Sequence, residues 1–512
     1  MKKLTYLLLG TLMGGLTSCG DFLEPKSQSE YVPKDANALQ EMLIGNGYPQ
    51  ASSGNSMLAY SDFFSDDVQL MTNPDFDFSS TVTTSDLTFK EAVFEWQPNM
   101  FDIARQTSYI YSNIWEGLYK FILGTNATLD YMDEVSGTDA EKNYVRAQAY
   151  TLRAFYYFIL VNHFGQPYNY NKTAPGVPLK LDSYLAQEGK LNMARNTVEE
   201  VYNQIIADLN QAEQLYIGLP KAKQYQPDYL TSLPLVEMLK SRVYLYMENW
   251  AEAQKYAAKV ISDWDFHLID FKTLDPSLSN PQEPYYAFTT IDSPETIWLY
   301  GSINDYLVYL STNVENINDD SVTRDAFNAS DELVSCFKEG DLRKDQYLIR
   351  EYNSDYAEFY TDAYTVFSKF KVSSNGEPKS GENFAMSFRL AEAYLNLAEA
   401  AAHNNDANTA HSALHDLLST RYEEGKLIDG SDKSGNDLIE FIREERRKEL
   451  CLEGQRWFDL RRYGMPQITH KWKDKTYTLK HNDPQYTMPI PEDVLERNNE
   501  LTQNPLSPIR VD

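Results

Sequence analysis

The longest stretch of helical patterning lies at residues 144–164, where Val145, Ala149, Leu152, Phe155-Tyr156 and Ile159 recur at helical spacing before Gly165 and Pro167. The spacing predicts a long, mostly buried helix. Thr197 and Glu200 form a capping box ahead of Val201, Ile205, Leu209, Ala212 and Leu215, which predicts a second amphipathic helix to about Tyr216. Residues 235–247 and 250–261 read as two helices joined across Glu248-Asn249, and residues 389–402 and 407–420 repeat that design across His403-Asn404-Asn405-Asp406. Two segments, near 48–100 and 270–380, lack helical periodicity over much of their length and are rich in Pro, Asn, Asp and Tyr. Irregular segments longer than about 15 residues in a compact protein are usually functional or disordered, and the aromatic content argues against disorder.

Both helix pairs resemble tetratricopeptide hairpins, with Ala251, Ala253 and Ala257 permitting close helix approach and Tyr244 and Tyr394 as bulky fillers. Such pairs do not bury their apolar faces alone, so several are expected to stack. The expected fold is mostly α, a tetratricopeptide-like helix-pair scaffold with long irregular loop insertions near 48–100 and 270–380.

The N-terminus adds a location. Lys2-Lys3, an apolar run from Leu4 to Leu16 and then Leu16-Thr17-Ser18-Cys19 read as an export signal. The run is shorter than the about 20 apolar residues a spanning helix needs. Leu-Thr-Ser-Cys resembles the lipobox of bacterial lipoproteins, so residues 1–18 are expected to be cleaved and Cys19 to be acylated. Residues 19–512 would then form one helical domain held at a membrane, each buried acyl CH₂ contributing about 0.8 kcal/mol.

Losing Lys2 and Lys3 with that signal takes the formal charge from −29 to −31. So acidic a chain repels phosphate backbones, and nucleic acid is not an expected partner. Beyond Cys19 only Cys336 and Cys451 remain, without metal-site spacing. Cys451, flanked by Leu450 and Leu452, reads as a buried thiol rather than a bridge or nucleophile. Aromatic residues make up 13% of the chain. Tyr and Trp stack on the CH face of a sugar ring while bonding its hydroxyls, although most are expected in the core.

Residues 439–462 place Ile439, Ile442, Arg446, Leu450, Glu453 and Trp457 on one helical stripe, so charges interrupt an apolar seam. Buried charges persist only with partners, which predicts ion pairs fastening this helix to the scaffold. A catalytic role for Glu445, Glu449 or Glu453 has no acid–base partner beside it.

This run, with Glu449-Leu450-Cys451-Leu452-Glu453-Gly454-Gln455-Arg456-Trp457-Phe458-Asp459 at its centre, resembles the C-terminal signature of the SusD/RagB family, Bacteroidetes surface lipoproteins that capture nutrients for an outer-membrane transporter. Further blocks resemble the family in order. They are Trp115, Tyr119, Ile122 and Asn126; Arg153-Ala154-Phe155-Tyr156-Tyr157 through Phe164-Gly165; and Arg195-Asn196-Thr197-Val198 with Asp208-Leu209. Arg389-Leu390-Ala391-Glu392-Ala393-Tyr394 with Ala398-Glu399-Ala400, then Pro489-Ile490-Pro491 with Gln503-Asn504-Pro505, complete the series. Leu417-Leu418-Ser419-Thr420-Arg421 and Leu506-Ser507 depart from the segments usual in the family.

The resemblance implies a SusD-like fold whose ligand contacts come from the inserted loops. It also implies a non-enzymatic, cell-surface glycan-binding lipoprotein, anchored by its lipid in the outer membrane, that delivers oligosaccharides to a SusC-like TonB-dependent transporter. By the same resemblance Asp66, in Ser65-Asp66-Asp67, is expected to accept hydrogen bonds from vicinal hydroxyls; Trp96 with Asn99, immediately before the Trp115 helix, would supply a stacking face and an amide, although Trp96 also reads as a cap on the core. From the second insertion, Trp298, Tyr300, Tyr306 and Tyr309 would form the opposing wall, although Ile297-Trp298-Leu299-Tyr300 also reads as a strand packed inward.

His411 and His415 have the i,i+4 spacing of a metal pair with His403 nearby, but exposed positions on a hairpin helix explain them equally. Asp75-Phe76-Asp77 and Asp319-Asp320 lack the spaced oxygen ligands and glycine turn of a calcium loop. No phosphate loop or catalytic motif is present, and no metal or cofactor is expected. Other readings stay open. A peptide-capturing relative of the same family would need a groove with free backbone groups. A surface glycoside hydrolase would need two carboxylates about 5 to 10 Å apart, for which the sequence gives no sign. A pure helical-repeat adaptor would have no need of the aromatic insertions.

Overall fold

The computed structural model describes residues 32–49, 59–73, 75–77, 84–107, 113–184, 192–274, 288–302, 313–348, 350–353, 358–364 and 384–511. Helices α1 (Ala36–Asn46), α2 (Ala59–Phe64), α3 (Thr84–Phe94) and α4 (Met100–Thr107) precede the central pair α5 (Ile114–Asp130) and α6 (Asp139–Phe164). Then come α7 (Val198–Ile217), the hairpins α8 (Leu233–Tyr246) with α9 (Trp250–Ser262) and α10 (Leu390–His403) with α11 (Ala407–Leu418), and finally α12 (Gly435–Glu449) and α13 (Arg456–Arg462).

Helix α6 starts on a capping box in which Thr138 Oγ1 accepts from the Glu141 N–H at 3.3 Å while Glu141 Oε2 accepts from the Thr138 N–H at 2.8 Å. Its 26 residues span about 39 Å. From Thr151 to Phe164 every side chain is buried, so this half has no polar face and serves as an axle between α5 and α7. The Thr197–Glu200 box opens α7 as the sequence predicts, with Glu200 Oε2 accepting from the Thr197 N–H at 2.7 Å. Both hairpins use one turn design: a left-handed residue, Glu248 (φ 57°) or Asn405 (φ 62°), precedes a side-chain cap from Asn249 or Asp406. Helix α9 packs on α10, with Ala253 and Ala257 fully buried, which stacks the two hairpins.

Eleven strands, β1 (Val68–Leu70), β2 (Phe76–Asp77), β3 (Thr296–Ser302), β4 (Asn313–Asn316), β5 (Asp319–Asp325), β6 (Phe327–Ala329), β7 (Arg350–Asn353), β8 (Glu358–Tyr364), β9 (Phe384–Arg389), β10 (Ile468–Trp472) and β11 (Lys475–Leu479), are described. They pair in small antiparallel groups. The β3–β9 ladder matters most for function, with Trp298 opposite Phe388, Tyr300 opposite Met386 and Ser302 opposite Phe384.

The segment near 48–100 is more regular than its pattern predicts, since α2, α3 and α4 begin within it. Leu87, Phe89, Ala92, Val93, Phe94 and Trp96 are buried on several sides, so no single stripe marks the helix. The C-terminal stripe is also interrupted. Helix α12 ends at Glu449, Leu452 (φ 57°) and Gly454 (φ 69°) turn the chain, and Trp457 stacks on Tyr486 at 4.8 Å from the start of α13.

The expected ion pairs are present. Glu449 lies between Arg343 at 3.4 Å, Arg389 at 2.8 Å and Arg421 at 3.0 Å, all buried. Glu445 pairs with Arg343 at 2.6 Å and Glu453 with Arg389 at 2.8 Å. Arg446 holds Asp459 at 2.9 Å, and Arg462 ties Asp459 at 2.8 Å to Glu399 at 2.5 Å. Burial drives the Glu449 carboxyl upward, but Arg421, Arg389 and Arg343 outweigh it and hold the group well below its usual range. These carboxylates fasten α12 to the scaffold. Cys451 is buried and forms no disulfide.

Candidate ligand-binding site

Of the residues expected to touch ligand, Tyr306, Tyr309 and the acceptor Cys19 lie outside the described residues. The remaining five have definite surroundings, and most are not surface groups. Asp66 is clamped by Arg456, whose Nε and Nη2 each donate at 2.8 Å, with Arg447 at 3.3 Å. Burial raises its pKa, yet the Arg456 hydrogen bonds and the charges of Arg456 and Arg447 prevail and bring it to about 2. It is an ion-pair partner in the scaffold, not the hydroxyl acceptor expected from its position.

Trp96 is 0% exposed, donates its indole N–H to Phe64 O at 3.0 Å and lies flat on His470 at 4.1 Å. Trp298 and Tyr300, each 1% exposed, stack on one another at 5.2 Å inside β3, whose residues are all buried. The inward-packed strand is therefore the correct reading of residues 297–300, because β3 has core on both faces. None of these three rings offers a face for a sugar. Asn99, just before α4, does line a cleft of about 320 Å³ with Pro98, Phe101, Ile490 and Leu506, and its Oδ1 is shut from solvent with no hydrogen-bond partner among the described residues.

What the fold does gather is the ends of the insertions. The Gly301 N–H donates to Pro49 O at 3.2 Å, and Ser302 pairs with Phe384. Pro49, Ser302 and Phe384, each the described residue next to an undescribed stretch, therefore lie together at one end of the β3–β9 ladder. Tyr229, 39% exposed, packs on Phe384 there with centroids 4.9 Å apart. Its backbone is fixed from below, since the Trp298 indole N–H donates to Tyr229 O at 3.0 Å.

Two residues on, the Thr231 N–H donates to Tyr48 Oη at 3.0 Å, Tyr48 donates to Gln148 Oε1 at 2.6 Å, and Tyr216 donates to Thr231 O at 2.6 Å. Asp228, half-buried beside Tyr229, accepts from the Leu230 N–H at 2.8 Å, and burial pushes its carboxyl pKa up. An exposed ring next in sequence to a half-buried carboxylate, on a backbone held by α6, α7 and β3, suits a sugar face and its hydroxyls. Sequence reasoning passed over Tyr229. Its signal was an aromatic in the turn Gln226-Pro227-Asp228-Tyr229, between two strongly patterned helices.

The histidines do not converge. His403 stacks on Trp250 at 3.9 Å and His415 contacts Asp429 at 2.8 Å. Among the described residues no cluster of His, Cys, Asp or Glu is arranged to hold a metal ion, and no helix is long and apolar enough to cross a membrane.

Two family models match the chain in tandem, one described as starch-binding associating with outer membrane over residues 21–245 and one described as the SusD family over residues 338–506. A SusD-like protein of Formosa agariphila is 25% identical over 444 residues, spanning 77% of this chain and 80% of that protein. Another from the same organism is 23% identical over 379 residues, 68% of this chain and 71% of the relative. Among solved structures, a SusD superfamily protein from Bacteroides thetaiotaomicron has a TM-score of 0.67 at 22% identity, covering 92% of this chain and 100% of that one. A SusD-like carbohydrate binding protein from Bacteroides vulgatus gives 0.64 at 24% identity, covering 91% and 97%. The structural likeness confirms the mostly helical fold.

Proposed function

We propose, from the premise that this chain belongs to the SusD/RagB family, that it captures oligosaccharides at the cell surface and passes them to a SusC-like TonB-dependent transporter in the outer membrane. The family is one of carbohydrate-binding proteins associated with that membrane. In this reading Cys19 carries the lipid and residues 19–512 form the tethered body. The observation that carries the proposal is the meeting of the insertion ends at Pro49, Ser302 and Phe384, with the exposed ring of Tyr229 packed on Phe384. Binding rather than catalysis is supported by the engagement of Glu445, Glu449 and Glu453 in arginine pairs within the scaffold.

The test is equilibrium binding of the purified full chain, in detergent, to neutral and acidic polysaccharides and to mixed peptides, beside a Tyr229→Ala variant. Glycan binding that weakens in the variant with the fold intact is the expected result. Binding of peptides alone would replace this reading with that of a peptide importer.

A further inference from the structure

Where α6 ends, the turn after Gly165 meets the C-terminal segments across a cleft of about 250 Å³ lined by Gln166, Tyr170, Arg195, Met465, Asn482 and Asp483. Several independent features mark it. Gln166 is half-buried, and its Oε1 is shut from solvent with no hydrogen-bond partner among the described residues, which is uncommon for an enclosed amide oxygen. Met465 (φ 53°) and Asn482 (φ 58°) both hold left-handed backbone, closed by the Asn482 N–H donating to Met465 O at 3.0 Å. Non-glycine strain of this kind gathers at ligand sites.

Arg195 is anchored entirely on backbone oxygens, donating to Gly176 O at 2.7 Å, Phe164 O and Pro175 O at 2.8 Å and Thr502 O at 3.0 Å. Among the described residues it has no carboxylate partner, so its charge is left for the cleft. Tyr170, 54% exposed, stands at the mouth.

We propose that this cleft is a second carbohydrate subsite that takes one neutral pyranose residue, a hydroxyl of which donates to Gln166 Oε1 once that side chain turns toward the cleft, while the ring lies against Tyr170. The proposal rests on the carbohydrate reading above but concerns a separate place. The Tyr229 region is tied to α6 through Gln148, and the cleft begins beyond Phe164, about 25 Å farther along that helix. The size fits one ring, since 250 Å³ corresponds to on the order of eight waters. Arg195 disfavours a cation, Asp483 is already paired with Arg510 at 2.9 Å, and the formal charge of −29 on the chain disfavours an anion, so a neutral ligand is expected. A sugar hydroxyl donates and accepts at once, which answers both the waiting acceptor and the arginine.

The experiment is saturation-transfer NMR on the full chain in detergent with methyl glycosides of glucose, galactose and mannose, and with methyl glucuronide. Wild type is compared with Tyr229→Ala, Gln166→Leu and Tyr170→Ala, each checked by thermal melting, and all are titrated in parallel with the polysaccharide panel. A neutral glycoside is expected to bind wild type and Tyr229→Ala alike and at least tenfold more weakly to both cleft variants. Tyr170 is exposed, so its variant remains informative if Gln166→Leu melts early. Glycoside binding lost in Tyr229→Ala and untouched in the cleft variants overturns the subsite while leaving glycan capture intact. Preference for the glucuronide, or polysaccharide binding with no glycoside binding at all, also overturns it. Failure of wild type to bind any glycan removes the carbohydrate reading itself.

Discussion

Trp298 donates its indole N–H to the backbone carbonyl of Tyr229 at 3.0 Å, so the tryptophan lies one layer beneath the ring that reaches solvent. Its influence on ligand is through position. Trp298→Phe keeps an aromatic in β3 but leaves the Tyr229 carbonyl without that donor, at a cost of about 1–3 kcal/mol. Urea denaturation is expected to show this loss, with glycan affinity falling severalfold as Tyr229 loosens. Unchanged affinity in a measurably destabilised variant would mean that the bond does not set the Tyr229 position.

Asp66 makes a contrasting case. Asp66→Asn removes the charge that pairs Arg456 and Arg447, leaving two largely buried guanidiniums undercompensated. The expected cost is about 3 kcal/mol. Affinity for glycan, measured below the melting transition, is expected to stay within twofold of wild type. A tenfold affinity loss at unchanged stability would return Asp66 to the ligand site.

Glu449 joins three elements through Arg343, Arg389 and Arg421. Glu449→Gln leaves positive charge in a water-free setting, for which about 3–5 kcal/mol is the expected penalty. The measurement is the chemical-denaturation midpoint at neutral pH. A shift below about 1 kcal/mol would show that Glu295, Asp341, Glu445 and Glu453 suffice to neutralise the cluster.

The scaffold was legible because its helices advertise themselves. The Thr138–Glu141 and Thr197–Glu200 boxes, the small residues of α9 and the paired turn designs at Glu248 and Asn405 are local signals, and the helices follow them. The site was less legible, since burial is a tertiary property. Trp96 and Trp298 have the chemistry of a sugar platform, and nothing in their neighbours in sequence says that His470 and Phe155 cover them. Tyr229 packs on Phe384, 155 residues farther along the chain, which in turn pairs with Ser302, a convergence that no stretch of adjacent sequence shows. The interaction of half-buried Glu91 in α3 with buried Glu95 just beyond it was hidden for the same reason.

His163 gives a pH prediction. Its Nδ1 contacts Ile159 O at 2.9 Å while Nε2 is buried without a partner among the described residues, and burial, helped by Arg461, lowers its pKa from 6.5 to about 4. Between those values the unfolded chain carries a proton that the folded chain does not. Stability from this residue is therefore complete above pH 6.5 and is lost as pH falls toward 4, by about 3 kcal/mol in all. Glu91, raised to about 7 by burial and by Glu95, acts with the opposite sign over a similar range. The test is thus the difference between wild type and His163→Gln. Denaturation at pH 7.5 and 4.5 is expected to show wild type losing more, and parallel curves would count against the buried neutral imidazole.

The last comparison separates core from surface aromatics. Trp96 is sealed between His470 and Phe64, so Trp96→Ala opens a large cavity and is expected to cost about 3–5 kcal/mol. Tyr229 keeps 39% of its surface in water, and its ring packs on Phe384. Tyr229→Ala should therefore move the melting midpoint little, since surface changes usually fall within about 0.5 kcal/mol. Its effect belongs in binding. Loss of one stacking face, worth about 1.4 kcal/mol, weakens glycan affinity about tenfold. The pair of variants thus forms a double dissociation: calorimetric melting reports on Trp96 and titration with glycan reports on Tyr229. A Trp96→Ala protein that melts normally but no longer binds would put the ligand against a ring that the fold encloses, and would require this end of the molecule to open before sugar enters.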